Sequence, residues 1–281
     1  MRSISRRDLL RSGAAGAAAL CLARRPGLSA AFADEKKIPI GLQLYSVRED
    51  AARDLAGVLK AVAEMGYHGV EFAGYYGHSA QDIRKMLDDV GLVCCGTHTG
   101  MGTILGDALP ATIEFNQILG NKYLIVPGLG GEYTSSRAGW ERAVREFTEA
   151  ADRARPEGML VGFHNHAIEF RPLDDGTLPW DLIFSNTPDD FVQQIDTGNA
   201  IHGGVNPVDF IRKYPGQTTT VHLKEHGGAF GEGNVPWEEV FEACETVGGT
   251  EWYIVEQEEY DKPPLECVAD CIEVLREMGK L

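Results

Sequence analysis

The sequence predicts a closed (β/α)8 barrel in a single domain, on three observations. Eight short runs rich in β-branched and aromatic residues alternate with segments of helical period. Their centres lie roughly 24 to 37 residues apart, the length of one strand–helix unit. The span they cover suits one such barrel. The strand candidates are Ile40–Tyr45, Gly69–Phe72, Leu92–Gly96 and Tyr123–Val126, followed by Leu160–Phe163, Val192–Ile195, Thr219–His222 and Trp252–Val255. Between them, a helix from Asp54 to Met65 is stopped by Gly66. Ser79-Ala-Gln-Asp82 resembles a capping box and opens a helix that ends near Gly91. Asn206-Pro207 offers a cap residue and a first-turn proline, and a last helix runs from about Pro264 to Met278. An open doubly wound sheet would want a glycine-rich phosphate turn after its first strand, and none follows Tyr45.

The pattern occupies residues 34–281, with no second domain and no long linker. Residues 1–33 read differently. Arg6 and Arg7 lie in Ser5-Arg-Arg-Asp-Leu-Leu-Arg11, an Ala/Gly/Leu stretch follows from Ser12 to Ala23, and Ala31-Phe-Ala33 ends in a small-x-small signature. A basic start, a short apolar core and such a site make a removable secretory signal, and the paired arginines resemble the twin-arginine type. The expected location is therefore periplasmic or extracellular, with no membrane attachment after cleavage. Removing this segment, which carries six Arg and one Asp, leaves 248 residues with a formal net charge of −21. So strong an acidic balance argues against nucleic acid or anionic lipid as a partner. Five cysteines remain: Cys94, Cys95, Cys244, Cys267 and Cys271. Neither Cys94-Cys95 nor the i, i+4 pair Cys267/Cys271 has a zinc spacing, and most are expected as buried small apolar side chains.

In a barrel of this type the chemistry sits at the carboxyl ends of the strands. Those ends carry Tyr45, Glu71, Thr97-His98-Thr99, His164-Asn165-His166 with Glu169 and Arg171 beyond, Asp196-Thr-Gly-Asn199, His222-Leu-Lys224-Glu225-His226 and Glu256-Gln257-Glu258. Side chains alternate along a strand, so His164 and His166 share a face, as do His222 and Lys224. Imidazoles and carboxylates on adjacent strand ends suit Mn²⁺, Mg²⁺, Co²⁺ or Zn²⁺.

The order His-Asn-His-x-x-Glu-Phe, Asp-Thr-Gly-Asn, His-Leu-Lys and Val-Glu-Gln resembles the xylose isomerase-like barrel family of sugar isomerases and epimerases. The likeness leans toward the branch with inosose dehydratase-like and 3-keto-glycoside-processing proteins. Gln43-Leu-Tyr-Ser-Val-Arg48 and Gly231-Glu-Gly-Asn-Val-Pro-Trp237 also resemble pieces of that branch. The resemblance implies a metal set of a Glu, an Asp, a His and a Glu on strands 5 to 8, with Asp196, His222 and Glu256 as the last three. Strand 5 departs from it, because His164 stands where the Glu is expected. Three candidates stay open there: His164, His166, or Glu169 folding back from the loop. Glu169 is preferred, leaving His164 and His166 as acid/base candidates.

The implied activity is a metal-dependent, Mn²⁺-favouring proton abstraction beside the carbonyl of a keto-sugar, leading to isomerisation or epimerisation. Dehydration, elimination from a 3-keto-glycoside and non-catalytic sugar binding are the alternatives. Lys224 either binds a hydroxylate, lowers a neighbour's pKa, or pairs with Glu225 or Glu256. Tyr45, Glu71, His98, Asn165, Arg171 and Asn199 are expected sugar contacts by location. The partner is a small sugar, with a homo-oligomer left open. The family's DNA-cutting relatives, of the endonuclease IV type, need further ligands and a basic groove that this acidic chain does not offer.

Overall fold

In the computed structural model, which describes residues 37–281, eight parallel strands close in sequence order into one barrel. The strands are β1 Ile40–Gln43, β2 Gly69–Phe72, β3 Val93–His98, β4 Tyr123–Val126, β5 Leu160–His164, β6 Val192–Asp196, β7 Thr220–Leu223 and β8 Trp252–Val255. The helices that cover them are α1 Leu55–Met65, α2 Ala80–Val90, α3 Leu109–Leu119, α4 Arg137–Ala154, α5 Pro179–Phe184, α6 Pro207–Lys213, α7 Trp237–Ala243 and α8 Pro264–Glu277. The export signal read in residues 1–33 lies outside the described residues.

Local sequence explains the boundaries. The Asp54 carboxylate accepts from the Gly57 N–H to start α1, the Ser79 hydroxyl accepts from the Asp82 N–H to start α2, and the Asn206 side chain accepts from the Val208 N–H to start α6. The box at Ser79 is incomplete, because its hydroxyl donates to Asp82 Oδ2 (2.6 Å). β1 is shorter than expected: after Gln43 the chain turns into a tight helix Leu44–Val47, whose Tyr45 N–H donates to Gln43 Oε1 (3.0 Å).

Between barrel and helices lies a continuous apolar layer. Its aromatic centre joins Phe147 of α4, Phe163 of β5, Trp180 of α5 and Phe191, with ring centres 5.1–5.8 Å apart. All described cysteines are free and buried, and burial pushes the Cys94, Cys244 and Cys271 thiols up to about 12. They are inert packing groups.

Strand alternation decides what enters the barrel. On β6, Gln193 points outward and accepts from Trp180 Nε1 (3.0 Å), while Gln194 and Asp196 point inward. On β2, Glu71 points inward and is fully buried. Its carboxylate crosses directly over Gly96 of β3, where a Cβ would collide with Glu71 Oε1. The register shift between Val70 and Glu71 brings Gly96 opposite Glu71.

Candidate metal centre

The carboxyl ends of β5 to β8 bring four side chains together. His164, Asp196, His222 and Glu256 each offer one ligand atom within 4.8 Å of the others, and all four are buried. Each is aimed by its own local structure. Asp196 caps the short helix Thr197–His202: its Oδ1 accepts from the Asn199 N–H (2.7 Å), and its Oδ2 is buried with no partner. His222 donates from Nε2 to Glu71 Oε2 (2.6 Å), and its Nδ1 faces Glu256 Oε2 at 2.9 Å and Asp196 Oδ2 at 3.9 Å. His164 Nε2 stands 4.0 Å from Asp196 Oδ2. The ends of β6 and β7 are drawn close by Thr197, whose hydroxyl donates to the Lys224 carbonyl (2.8 Å) and accepts from the Lys224 N–H (3.0 Å). Gly198 permits this approach, because a Cβ there would stand 3.0 Å from the Lys224 backbone.

An orphaned carboxylate oxygen facing two imidazoles and a second carboxylate is what a divalent cation satisfies: two neutral nitrogen donors and two negative oxygens. Burial, then the neighbouring His222 and His98, hold His164 well below its ordinary pKa, so it is neutral. Burial pushes Asp196 up to about 7. His222, despite burial, is pushed up to about 10 by Glu71 and Glu256. Burial works against the charge on Glu256, but the His222 hydrogen bond and charge keep it well below the carboxylate range.

The cluster without a cation therefore carries protons on His222 Nδ1 and, below about pH 7, on Asp196. Cation binding must expel them, so affinity rises with pH. Divalent-ion affinity is expected to increase at least about tenfold per unit between pH 6 and 8. Calorimetric titration in buffers of different ionisation enthalpy reads the proton release directly. A pH-independent affinity would contradict this.

Several expectations are revised. Glu169, the preferred strand 5 ligand, does not join the cluster; its carboxylate turns back to accept from the His166 N–H (2.7 Å), and His164 takes the place. Burial pushes Glu169 up to about 7. Asn165 was expected on the sugar, yet its side-chain oxygen accepts from the Asp196 N–H (2.7 Å) and its nitrogen donates to the Asp196 carbonyl (3.2 Å). Asn199 is similarly occupied: Nδ2 donates to the Asn165 carbonyl (3.1 Å) and Oδ1 faces His226 Nε2 (2.9 Å). Both hold the frame of the site. Glu71, also expected on the sugar, lies beneath the cluster and accepts from Gln43 Nε2 (2.7 Å), Gln194 Nε2 (2.8 Å) and His222. Burial opposes its charge, but His98 and His222 hold its pKa below the ordinary value. His98 stacks on His222 at 5.2 Å and faces Gln194 Oε1 (2.8 Å).

Other groups stand at the mouth. Lys224 does not pair with Glu225, whose carboxylate accepts from the Gly231 and Val235 N–H groups of the following loop. Its ammonium binds Glu258 and lies 3.8 Å from Glu256. Burial opposes that charge, but Asp196, Glu256 and Glu258 raise its pKa, so it stays charged. His166 reaches solvent with its ring 5.4 Å from that of His164. The protein packed around it and the Lys224 charge lower its pKa, leaving it neutral at pH 7. Tyr45, 41% exposed, lies under the Arg48 guanidinium (4.3 Å), and Arg171 is exposed. The reading of strand ends missed Gln43 and Gln194, although strand parity places Gln194 on the same face as Asp196.

Residues 59–278 match the family model of the xylose isomerase-like TIM barrel. The chain is 26% identical over 192 residues to an inosose dehydratase of Geobacillus kaustophilus, a match covering 60% of this chain and 61% of that protein. It is similar in structure to two proteins of Parabacteroides distasonis described as sugar phosphate isomerase/epimerase. The first has a TM-score of 0.76 at 23% identity, over 91% of this chain and 99% of the other. The second has a TM-score of 0.75 at 26% identity, over 85% and 98%.

Proposed function

The chain belongs to the xylose isomerase-like TIM barrel family, and from that premise we propose that it is a divalent-metal-dependent enzyme that moves a proton beside the carbonyl of a keto-sugar. The observation that carries this reading is the convergence of His164, Asp196, His222 and Glu256 around the unpartnered Asp196 Oδ2. A divalent ion held by these residues would polarise the substrate carbonyl and stabilise the developing enediolate. Mn²⁺ is favoured, and the mixed nitrogen and carboxylate donors also suit Co²⁺ and Zn²⁺ better than Mg²⁺.

The chain's own residues supply the rest. His166, neutral and open to the mouth, is the base that takes the α-proton. Lys224, held between Glu256 and Glu258, donates to a substrate oxygen. Tyr45 is exposed with Arg48 over one face of its ring, and the other face is left for the sugar. The surroundings of Lys224 are acidic, which favours an uncharged sugar over a phosphorylated one. If the proton returns to the opposite face or to the neighbouring carbon, the result is epimerisation or isomerisation. The likeness to an inosose dehydratase supports a second outcome, loss of a β-hydroxyl protonated by Lys224.

Proton NMR of a keto-sugar in D₂O tests the reading. The Mn²⁺-loaded protein is expected to exchange the α-proton for deuterium, and the accumulating product separates isomer, epimer and dehydrated sugar. His166→Gln is expected to slow exchange by about 10²–10⁴-fold with the metal retained. Saturable sugar binding without exchange would leave a binding protein instead, and full exchange in the variant would remove His166 from its role.

A further inference from the structure

We infer that Gln194 is a positioning residue that sets the tautomer of His164 and, through Glu71, anchors Nε2 of His222, so that His164 Nε2 and His222 Nδ1 are turned to the same space. The inference deepens the metal reading above and rests on it for the meaning of that space.

Gln194 is fully buried on β6, two residues before Asp196. Its amide nitrogen donates to Glu71 Oε1 (2.8 Å) and to Thr220 Oγ1 (3.1 Å). Turning the amide over would set its carbonyl oxygen against the Glu71 carboxylate, so one orientation is imposed. Gln194 Oε1 then faces His98 Nε2 at 2.8 Å and His164 Nδ1 at 3.2 Å. An amide oxygen only accepts, so both of these nitrogens must carry hydrogen. With the His164 Nδ1 hydrogen engaged by Gln194, Nε2 is the nitrogen left to face Asp196 Oδ2, 4.0 Å away.

The second histidine is reached through Glu71. Gln194 holds one oxygen of that carboxylate, Gln43 donates to the other (2.7 Å), and the same oxygen accepts from His222 Nε2 (2.6 Å). His222 keeps its hydrogen on Nε2, so the proton that a cation must displace is the one on Nδ1, which faces Glu256 and Asp196. The three nitrogens of His98, His164 and His222 that gather round Gln194 and Glu71 are thus engaged as donors, which leaves His164 Nε2 and His222 Nδ1 on the side of Asp196 and Glu256. A side chain needed for packing alone would not have to be an amide; orienting two imidazoles requires both its donor and its acceptor.

The test uses the metal-free protein with ¹⁵N-labelled histidine, where long-range ¹H–¹⁵N correlation reads each ring tautomer. The native protein is expected to show His164 protonated on Nδ1. Gln194→Met, close in shape but without the amide, is expected to lose that preference and to bind Zn²⁺ about 10–100-fold more weakly. Gln194→Glu, whose carboxyl buried against Glu71 holds a proton to donate there and keeps an acceptor toward His164, is expected to restore the Nδ1–H tautomer. If Gln194→Met does not fold, Thr220→Val, which removes one partner of the amide, is expected to shift the tautomer partway in the same direction. His164 remaining an Nδ1–H tautomer in Gln194→Met, or Gln194→Glu behaving like the Met variant, would overturn the inference. Absence of Zn²⁺ binding by the native protein would instead overturn the metal reading, while the tautomers still decide the role of Gln194.

Discussion

Asp196→Asn is expected to abolish divalent-ion binding and to lower turnover by about three powers of ten, with the fold intact. The substitution is selective because the two oxygens of Asp196 have separate tasks. Oδ1 caps the helix Thr197–His202 through the Asn199 N–H, and an asparagine oxygen can do the same. Oδ2 faces the centre with no partner, and there the variant places an NH₂ group that cannot bind a cation. The loss follows from removing several kcal/mol of charge stabilisation at about 1.4 kcal/mol per tenfold in rate.

The same variant carries a signature of opposite kind. Asp196 titrates at about 7 in the folded chain and near 3.9 when unfolded. Its neutral form is the one the fold favours, so that contribution to stability is fully present below about pH 4 and is lost as pH rises through 7. Asparagine has no such titration, so the fall in Tm of the metal-free protein between pH 5 and pH 8 should be smaller in the variant. Unchanged metal content, or an unchanged pH dependence of Tm, would remove Asp196 from the centre.

Glu71→Leu should produce the largest loss of stability. Leucine fills a similar volume but leaves the amide nitrogens of Gln43 and Gln194 short of a partner, and the His222 Nε2–H buried without its acceptor. Removing one member of a buried charged pair costs about 3–5 kcal/mol. At roughly 2–4 °C per kcal/mol for a chain of this size, Tm should fall by about 6–20 °C. Metal affinity should fall as well, since nothing then keeps the His222 hydrogen on Nε2. Calorimetric unfolding measures the first effect, and a loss below about 1 kcal/mol would show that Glu71 is an ordinary buried carboxyl.

The contrast between Glu71 and Asp196 shows what the sequence could tell. The strands were legible to within two residues at their ends because parallel strands buried on both faces read as short apolar runs. The Asp196-Thr-Gly-Asn199 and His222-Leu-Lys224 motifs were legible as site residues because they begin at the carboxyl ends of those runs. Side-chain direction in the loops was not legible. Glu169 is near enough in sequence to serve the centre, yet the tight turn Ile168–Phe170 aims its carboxylate at the His166 N–H. Asn165 and Asn199 look like sugar ligands until their bonds to backbone groups of neighbouring elements are seen. Gln43 and Gln194 were hidden for a different reason: a glutamine within a strand gives no signal of its own, and only barrel closure brings both of them to Glu71.

The site of divalent-ion binding can be seen directly. Anomalous scattering at the Mn edge from crystals grown with Mn²⁺ locates it directly. A centre built by these four residues gives one strong peak within bonding distance of Asp196 Oδ2, His222 Nδ1, Glu256 Oε2 and His164 Nε2, with Glu169 still on the His166 N–H. No peak there, or an ion bound through Glu169 in place of His164, would contradict it.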